Sequence, residues 1–463
     1  MADKFSRLAA LRPARSAPDR PAPLPAPDRD VDPLARLLGA GIARNHYGEH
    51  LSIRNWFSSP EFVEPSATAL ELLTRTKSPR KSQEKGTSGF WQATGKRAHR
   101  EPGVPSGVST VSMDPEKWLF LDTETTGLAG GTGTYAFLVG LAWWDSGGLQ
   151  IEQLFLRDFS EEYSLLHELA ARVAERPVLV TFNGKTFDWP LLESRFTMTR
   201  AIKPPKLAAH LDLLHPARAL WKLRLGSVRL IDLEREVLGA EQLGLHRFGD
   251  VASALIPQYY FDYLRGGSPD PLAGVVKHNQ MDLRGLAALF GKINSLLDDR
   301  GSLDTEESLD LFGLSRFLER RGERERAQSA CSRALHVGLP AELRPQAKRE
   351  LALRAKRQGD WKQAAEIWQE LAGDRQDGVE ACEQLAMHYE RQCKDFARAL
   401  EFAELALMKI ERQGWTSRDP LWHARRARRQ EKLMCRVRRL RHRIKRSASA
   451  PLLTKAAAGA DVR

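Results

Sequence analysis

The chain has 463 residues, 42% of them hydrophobic, which allows two or three cored domains and excludes a small module stapled by disulfides or zinc. A formal charge of +12 and a sequence pI near 9.6 point to a polyanionic partner, nucleic acid or an anionic membrane surface, wherever that charge is concentrated. No apolar run reaches the roughly 18 residues of a membrane span. The four cysteines (Cys331, Cys382, Cys393, Cys435) lack C-x-x-C spacing, and the N-terminus has no apolar signal core, so a reducing, cytoplasmic setting is expected.

Residues 1–113 are expected to be largely disordered. "RPARSAPDRPAPLPAPDRD" lacks apolar residues for a core, and 77–113 is polar and linker-like. An ordered island is expected near 45–75, because "NHYGEHLSIRNWF" has a strand-like aromatic and β-branched composition. The texture then changes. "KWLFLDTE", "TYAFLVGLAWWD" and "LQIEQLFLRD" predict three consecutive strands with glycine-containing turns. "EEYSLLHELAARVAER" has helical periodicity, "PVLVTFNG" is a strand, "DWPLLESRFTM" a helix and "KLAAHLDLLH" a strand. From "SVRLIDLEREVLG" to about 297 the pattern is mostly helical. Three strands followed by alternating helix and strand predict an α/β domain over 114–298, a mixed sheet flanked by helices.

Residues 305–412 have no strand pattern but a weak repeat. "LERRGERERAQSACSRAL", "RAKRQGDWKQAAEIWQEL" and "YERQCKDFARALEFAELAL" align on Ala327, Ala364 and Ala399, at spacings of 37 and 35. That is near the tetratricopeptide period of about 34, so an all-α array of helix hairpins is expected, in preference to an irregular bundle. Such an array offers a surface for a protein partner or for nucleic acid. Residues 413–463 are expected to be a basic tail. Within it "HARRARRQEKLMCRVRRLRHRIKR" spreads Arg and Lys around a helix, with Leu433, Val437 and Leu440 as a narrow apolar stripe. It reads as an electrostatic arm for nucleic acid or as a solvated helix.

Three short segments carry the chemistry. Side chains alternate along a strand, so Asp122 and Glu124 in "WLFLDTETTGLAGGTG" project to one side at the end of an apolar strand. Neighbouring carboxylates repel unless a cation or proton lies between them, and hard oxygen donors suit Mg²⁺ or Mn²⁺. In "LVTFNGKTFDWPLL", Asp188 opens a helix, where a plain N-cap is the alternative. In "HNQMDLRGLAALF", His278 and Asp282 share a helix face at i and i+4. A histidine there is either structural or a base beside a metal ligand.

Jointly, "FLDTETTG", "NGKTFDWPLL" and "HNQMD" resemble the three motifs of the DEDD 3′–5′ exonuclease superfamily, on the ribonuclease-H-like fold. "DTETTGLAGGTGTYAFLVG", "FNGKTFDWPLL" and "HLDLLHPAR" resemble the bacterial YprB-type ribonuclease-H-like proteins, over about 115–295. The resemblance implies a metal-dependent 3′–5′ exonuclease on single-stranded DNA or RNA, using two Mg²⁺ or Mn²⁺ ions. It implies that Asp122, Glu124, Asp188 and Asp282 are the metal ligands and His278 the general base. Thr125, Gly127, Asn183 and Lys185 are the substrate-contact candidates. One departure stands out: the superfamily carries H-x4-D or Y-x3-D, and this chain carries H-x3-D. "GLAGGTGT" lacks G-K-[ST] and is no nucleotide P-loop. Asp212, flanked by His210 and His215, is the rival third carboxylate, and Asp188 is preferred for its N-x4-D context. Lys185 and Arg284 are phosphate-contact candidates, with surface solvation as the alternative. The competing class is a non-catalytic adaptor that tethers nucleic acid through the helical repeats and basic tail.

Overall fold

The computed structural model describes residues 32–58, 66–74, 114–127, 133–145, 147–241, 243–245, 247–299, 303, 306–373, 378–412 and 419–448. It divides into two compact units, Met1–Leu303 and Asp304–Arg463.

The first unit is built on a seven-stranded mixed sheet. In chain order its strands are β1 (Gly41–Asn45), β2 (Gly48–Ser58), β3 (Trp118–Thr125), β4 (Ala136–Asp145), β5 (Gly148–Phe155), β6 (Val178–Thr181) and β7 (Ala209–Asp212). Their spatial order is β1-β2-β5-β4-β3-β6-β7. The five strands from β1 to β3 pair antiparallel, and β3, β6 and β7 pair parallel. The helices are α1 (Pro33–Leu38), α2 (Ala67–Thr74), α3 (Glu162–Glu175), α4 (Asp188–Thr199), α5 (Leu214–Leu225), α6 (Leu230–Leu233), α7 (Ile256–Leu264) and α8 (Asp270–Leu297). A π-helical turn, Glu234–Leu238, follows α6.

The central strands are apolar on both faces because both faces are covered. Trp118, Leu119, Phe120 and Leu121 are all buried. Phe290 of α8 packs its ring 5.2 Å from Trp118, 5.7 Å from Phe120 and 5.5 Å from Trp144. Burying each such side chain contributes about 1.5–3 kcal/mol.

The structure corrects the expected boundary at 114. The β1–β2 hairpin is the edge of the main sheet, with β2 paired to β5 from Leu51↔Phe155 to Ser58↔Gly148. Buried Glu152 of β5 is held by Arg54 of β2 and Arg172 of α3, each at 2.6 Å. Arg157 reaches Asp32 at 2.8 Å and Glu49 at 3.1 Å. The expected ordered island is therefore part of the main sheet of the first unit. The disorder expected of residues 1–31 and 75–113 lies outside the described residues.

The second unit is helical: α9 (Ser308–Arg321), α10 (Arg324–Val337), α11 (Arg344–Gln358), α12 (Trp361–Ala372), α13 (Gly378–His388), α14 (Phe396–Arg412) and α15 (Pro420–Ala448). Ala327, Ala364 and Ala399 each take the fourth position of the second helix of a hairpin, and each is fully buried where the helices approach. The first two hairpins turn on left-handed Gly322 and Gly359. The third turns on Lys394, also left-handed, where the sequence offers no glycine.

The expected tail from 413 is a further correction. Residues 420–448 form α15, and its stripe of Leu433, Val437 and Leu440 is buried in the core of this unit. Residues 413–418 and 449–463 lie outside the described residues. Cys331 and Cys382 are buried and Cys393 and Cys435 exposed, all as free thiols.

Candidate active site

The carboxylates gather at the C-terminal end of β3, the strand where parallel and antiparallel pairing meet. The register puts Asp122 of β3 opposite Gly140 of β4, and Gly140 opposite Gln153 of β5. A Cβ at Gly140 would collide with Asn279 and with Leu283 of α8, so only glycine lets α8 lie this close to the sheet. Asn279 sits over that gap. Its Nδ2 donates to Asp122 Oδ2 at 2.8 Å, and its Oδ1 accepts from Gln153 Nε2 at 2.9 Å. Gln153 Nε2 also donates to the Val276 carbonyl at 2.8 Å. This buried row orients Asp122 from behind. Register between strands is not visible in sequence, so Asn279, Gln153 and Gly140 were missed; the Asn inside "HNQMD" was the available signal.

Asp188 is the first residue of α4 and does not cap it. The capping position is Phe187, without a side-chain cap bond. Asp188 Oδ1 instead accepts from Thr123 Oγ1 of β3 at 2.5 Å. The rival Asp212 is committed to backbone. Its Oδ1 accepts from the Asn183 N–H at 2.8 Å and the Leu214 N–H at 3.0 Å, and its Oδ2 from the Lys185 N–H at 3.2 Å. Asn183 has a left-handed φ of 68°, and Asp212 satisfies the donors that this turn presents. Asp212 is thus the anchor of the loop that delivers Asp188. His210 beside it donates or accepts at Thr181 Oγ1, 2.9 Å away, and burial lowers its pKa to about 4. His215 is exposed.

Asp282 and His278 face the site from α8, tied to a loop within the stretch that was expected to be mostly helical. Arg247 pairs with Asp282, with Asp250 at 3.0 Å and with buried Glu234 at 2.6 Å. Glu234 occupies the space a Cβ would take at Gly285 of α8. Asp250 Oδ1 lies 2.8 Å from His278 Nδ1, and His278 Nε2 lies 3.7 Å from Asp282 Oδ2 and 3.4 Å from Ser253 Oγ. Burial pushes the Asp250 carboxyl up, and the His278 and Arg247 contacts more than reverse it, leaving its pKa below the ordinary value.

The substrate-contact candidates are dispersed around this cluster. The Thr125 hydroxyl donates to the Gly127 carbonyl at 2.9 Å, just past an irregularity in the β3–β4 register. A Cβ at Gly127 would lie in ordinary contact with Thr134 Oγ1, at 3.8 Å. Lys185 is exposed, and Asn183 contributes its backbone to the Asp212 anchor. Residues 128–132 of the glycine-rich run lie outside the described residues. Arg284 stacks on Phe57, 4.6 Å from the ring centre, and bonds the Leu243 carbonyl, away from the phosphate role considered for it.

The carboxylates carry an electrostatic load. Asp122 and Glu124 are only partly accessible and lie deep among protein atoms. Burial raises the pKa of Asp122, and Asp282, Asp188 and Glu124 push it further in the same direction. Glu124 is raised by burial, then by Asp282, Asp188 and Asp250. Asp188 is raised chiefly by burial, against the Thr123 bond. Hard oxygen donors that disfavour each other's charge suit divalent cations. Among the described residues no three Asp, Glu, His or Cys side chains stand as a closed ion-binding group. Asp122, Asp188 and Asp282 are each engaged by a protein partner, and Arg247 supplies the positive charge at Asp282.

Residues 119–294 match the family RNase_H_2, of the RNase_H superfamily. Strands β4 to β7, nearly all of β3 and the carboxylates at its end fall within that span, and the β1–β2 hairpin lies before it. The uncharacterized protein YprB of Bacillus subtilis (strain 168) is 31% identical over 311 residues, 66% of this chain and 73% of that protein. The chain belongs to the YprB family. No helix among the described residues is long and apolar enough to cross a membrane.

Proposed function

We propose that this protein is a metal-dependent 3′–5′ exonuclease of the DEDD type, acting on single-stranded DNA or RNA. The observation that carries the reading is the gathering of Asp122 and Glu124 at the end of β3 with Asp188, held by Thr123, and Asp282 close by, where burial and then the Asp282 and Asp188 charges disfavour the ionised forms of Asp122 and Glu124. A fold does not assemble such a group for stability. Asp122, Glu124, Asp188 and Asp282 would hold two Mg²⁺ or Mn²⁺ ions. When bound, the ions supply charge stabilisation of the phosphate and of the departing 3′ oxygen.

The remaining work belongs to the chain's own residues. Asn279 fixes the Asp122 carboxylate, and Thr123 fixes Asp188. His278, held at Nδ1 by Asp250, takes a proton from the attacking water at Nε2. The H-x3-D spacing places that nitrogen beside Asp282, one helical turn on. Arg247 must release Asp282 as the ligand set forms.

A second reading, the non-catalytic adaptor, is favoured by that same Arg247, which neutralises Asp282 without any metal. The helical hairpins, in the tetratricopeptide-like reading, would then serve a protein partner. Polarity and catalysis are tested together on an oligonucleotide labelled at its 5′ end, with and without a blocking 3′ phosphorothioate. A ladder that shortens from the 3′ end and stalls at the block supports the exonuclease. Cleavage indifferent to the block contradicts the 3′–5′ direction, and no cleavage by the active-site-intact chain favours the adaptor.

A further inference from the structure

The charge of this molecule is concentrated on one helix. α15 carries ten arginines and two lysines against one acid, Glu431, a formal +11 when the whole chain is +12. Its apolar stripe is buried, and the arginines beside that stripe are paired: Arg429 with Glu383 at 2.8 Å, Arg436 with Glu390 at 3.8 Å and Arg441 with Glu404 at 2.7 Å. The far side is different. At 100° per residue, Arg425, Arg428, Lys432, Arg439, His442 and Arg446 fall within about a 100° arc roughly opposite the stripe, and all are exposed. Arg425, Arg428, Lys432 and Arg446 pair with no described carboxylate. Arg425 to Arg446 spans about 32 Å of helix, the rise of some nine stacked nucleotides of one strand.

We infer that this face of α15 is a second nucleic-acid surface, which grips the phosphate backbone without reading sequence. The alternative polyanion, an anionic membrane, is disfavoured by packing. An interfacial helix needs an apolar face to sink into the bilayer, and the stripe of α15 is already consumed by the protein's own core. Guanidinium forks suit phosphate oxygens, and an array of them binds a backbone of any sequence. The inference rests on the nucleic-acid reading of the substrate but not on catalysis.

The test uses the full chain in EDTA, with fluorescent 30-nucleotide single-stranded DNA and RNA followed by anisotropy from about 50 to 400 mM salt. The variant is R425Q/R428Q/K432Q/R446Q, and circular dichroism checks that it melts as the parent does. Its affinity at about 100 mM salt is expected to fall ten-fold or more, with the slope of log K against log salt shallower by about 3, from 0.7 per lost contact on a single strand. R425K/R428K/R446K should keep most of the binding. Unchanged affinity and slope in the glutamine variant overturn the proposal. So does loss of binding to phosphatidylserine vesicles with nucleic-acid binding intact, which would assign the face to a membrane. A D122A/E124A chain binding like the parent separates the two claims. If the parent never cleaves but the glutamine variant loses binding, the surface stands and the exonuclease falls. If the glutamine variant cleaves and binds normally, the reverse holds.

Discussion

The end of β3 and the outer face of α15 hold charge in opposite ways. At β3 like charges are buried together, so the protein disfavours their ionised forms. On α15 like charges are spread over an exposed helix in water, where their repulsion is screened and costs little. The buried cluster is therefore sensitive to a single atom, and the exposed array only to the number of its members. Catalysis requires the first arrangement and sequence-independent binding the second.

The largest expected effect is on the buried side. Asp122→Asn with Glu124→Gln should remove nuclease activity by a factor of about 10³ or more, on the scale of lost transition-state electrostatics. The same pair should stabilise the metal-free protein. Because the folded pKa values are raised, the folded chain keeps protons that the unfolded chain loses. Stability thus falls as pH climbs from the ordinary carboxylate range through the raised values. The variant escapes that fall. At pH 8 in EDTA it should be about 1–2 kcal/mol more stable than the parent by urea titration, with the difference closing towards pH 4. Equal stability at both pH values would mean the cluster is not under charge stress.

Arg247→Met comes next. It strands Glu234, a buried carboxylate whose main partner it is, and should cost about 3–5 kcal/mol. A loss under 1 kcal/mol would show that the Arg247 network does not hold the loop. Asp212→Ala should cost about 1–3 kcal/mol for the backbone N–H groups it leaves unpaired, whereas Asp188→Ala should cost activity and little stability. Paired chemical denaturation and nuclease assays separate them, and swapped phenotypes would make Asp212 the ligand. On α15 the single change Arg441→Gln, which breaks an exposed pair with Glu404, should alter stability by less than about 1 kcal/mol.

Much of this was legible in sequence because it is local. The apolar run ending at Asp122 and Glu124 reads as a strand because it is short and closed by a glycine-containing turn, and His278 and Asp282 share a helix face by spacing alone. The N-cap question at Asp188 needed the structure, since only the fold brings Thr123 of a distant strand to its carboxylate. The Asp122–Gly140–Gln153 row depends on register across three strands. The Arg247–Asp250 loop joins residues some 30 positions from their partners. The β1–β2 hairpin was read as an island because the strand it pairs with lies about 100 residues further on, beyond a polar stretch. The stripe on α15 was visible, but three apolar residues among ten arginines do not reveal that a core awaits them.

The central claim is that the carboxylates at β3 hold catalytic cations, and it is tested most directly by degradation. Purified protein is incubated with 5′-labelled single-stranded DNA and RNA in Mg²⁺, Mn²⁺ or EDTA, beside Asp122→Ala/Glu124→Ala. A ladder shortening from the 3′ end in metal, absent in EDTA and absent in the double variant, is the result expected. Intact substrate in every lane, or a ladder that the double variant still produces, would contradict the account.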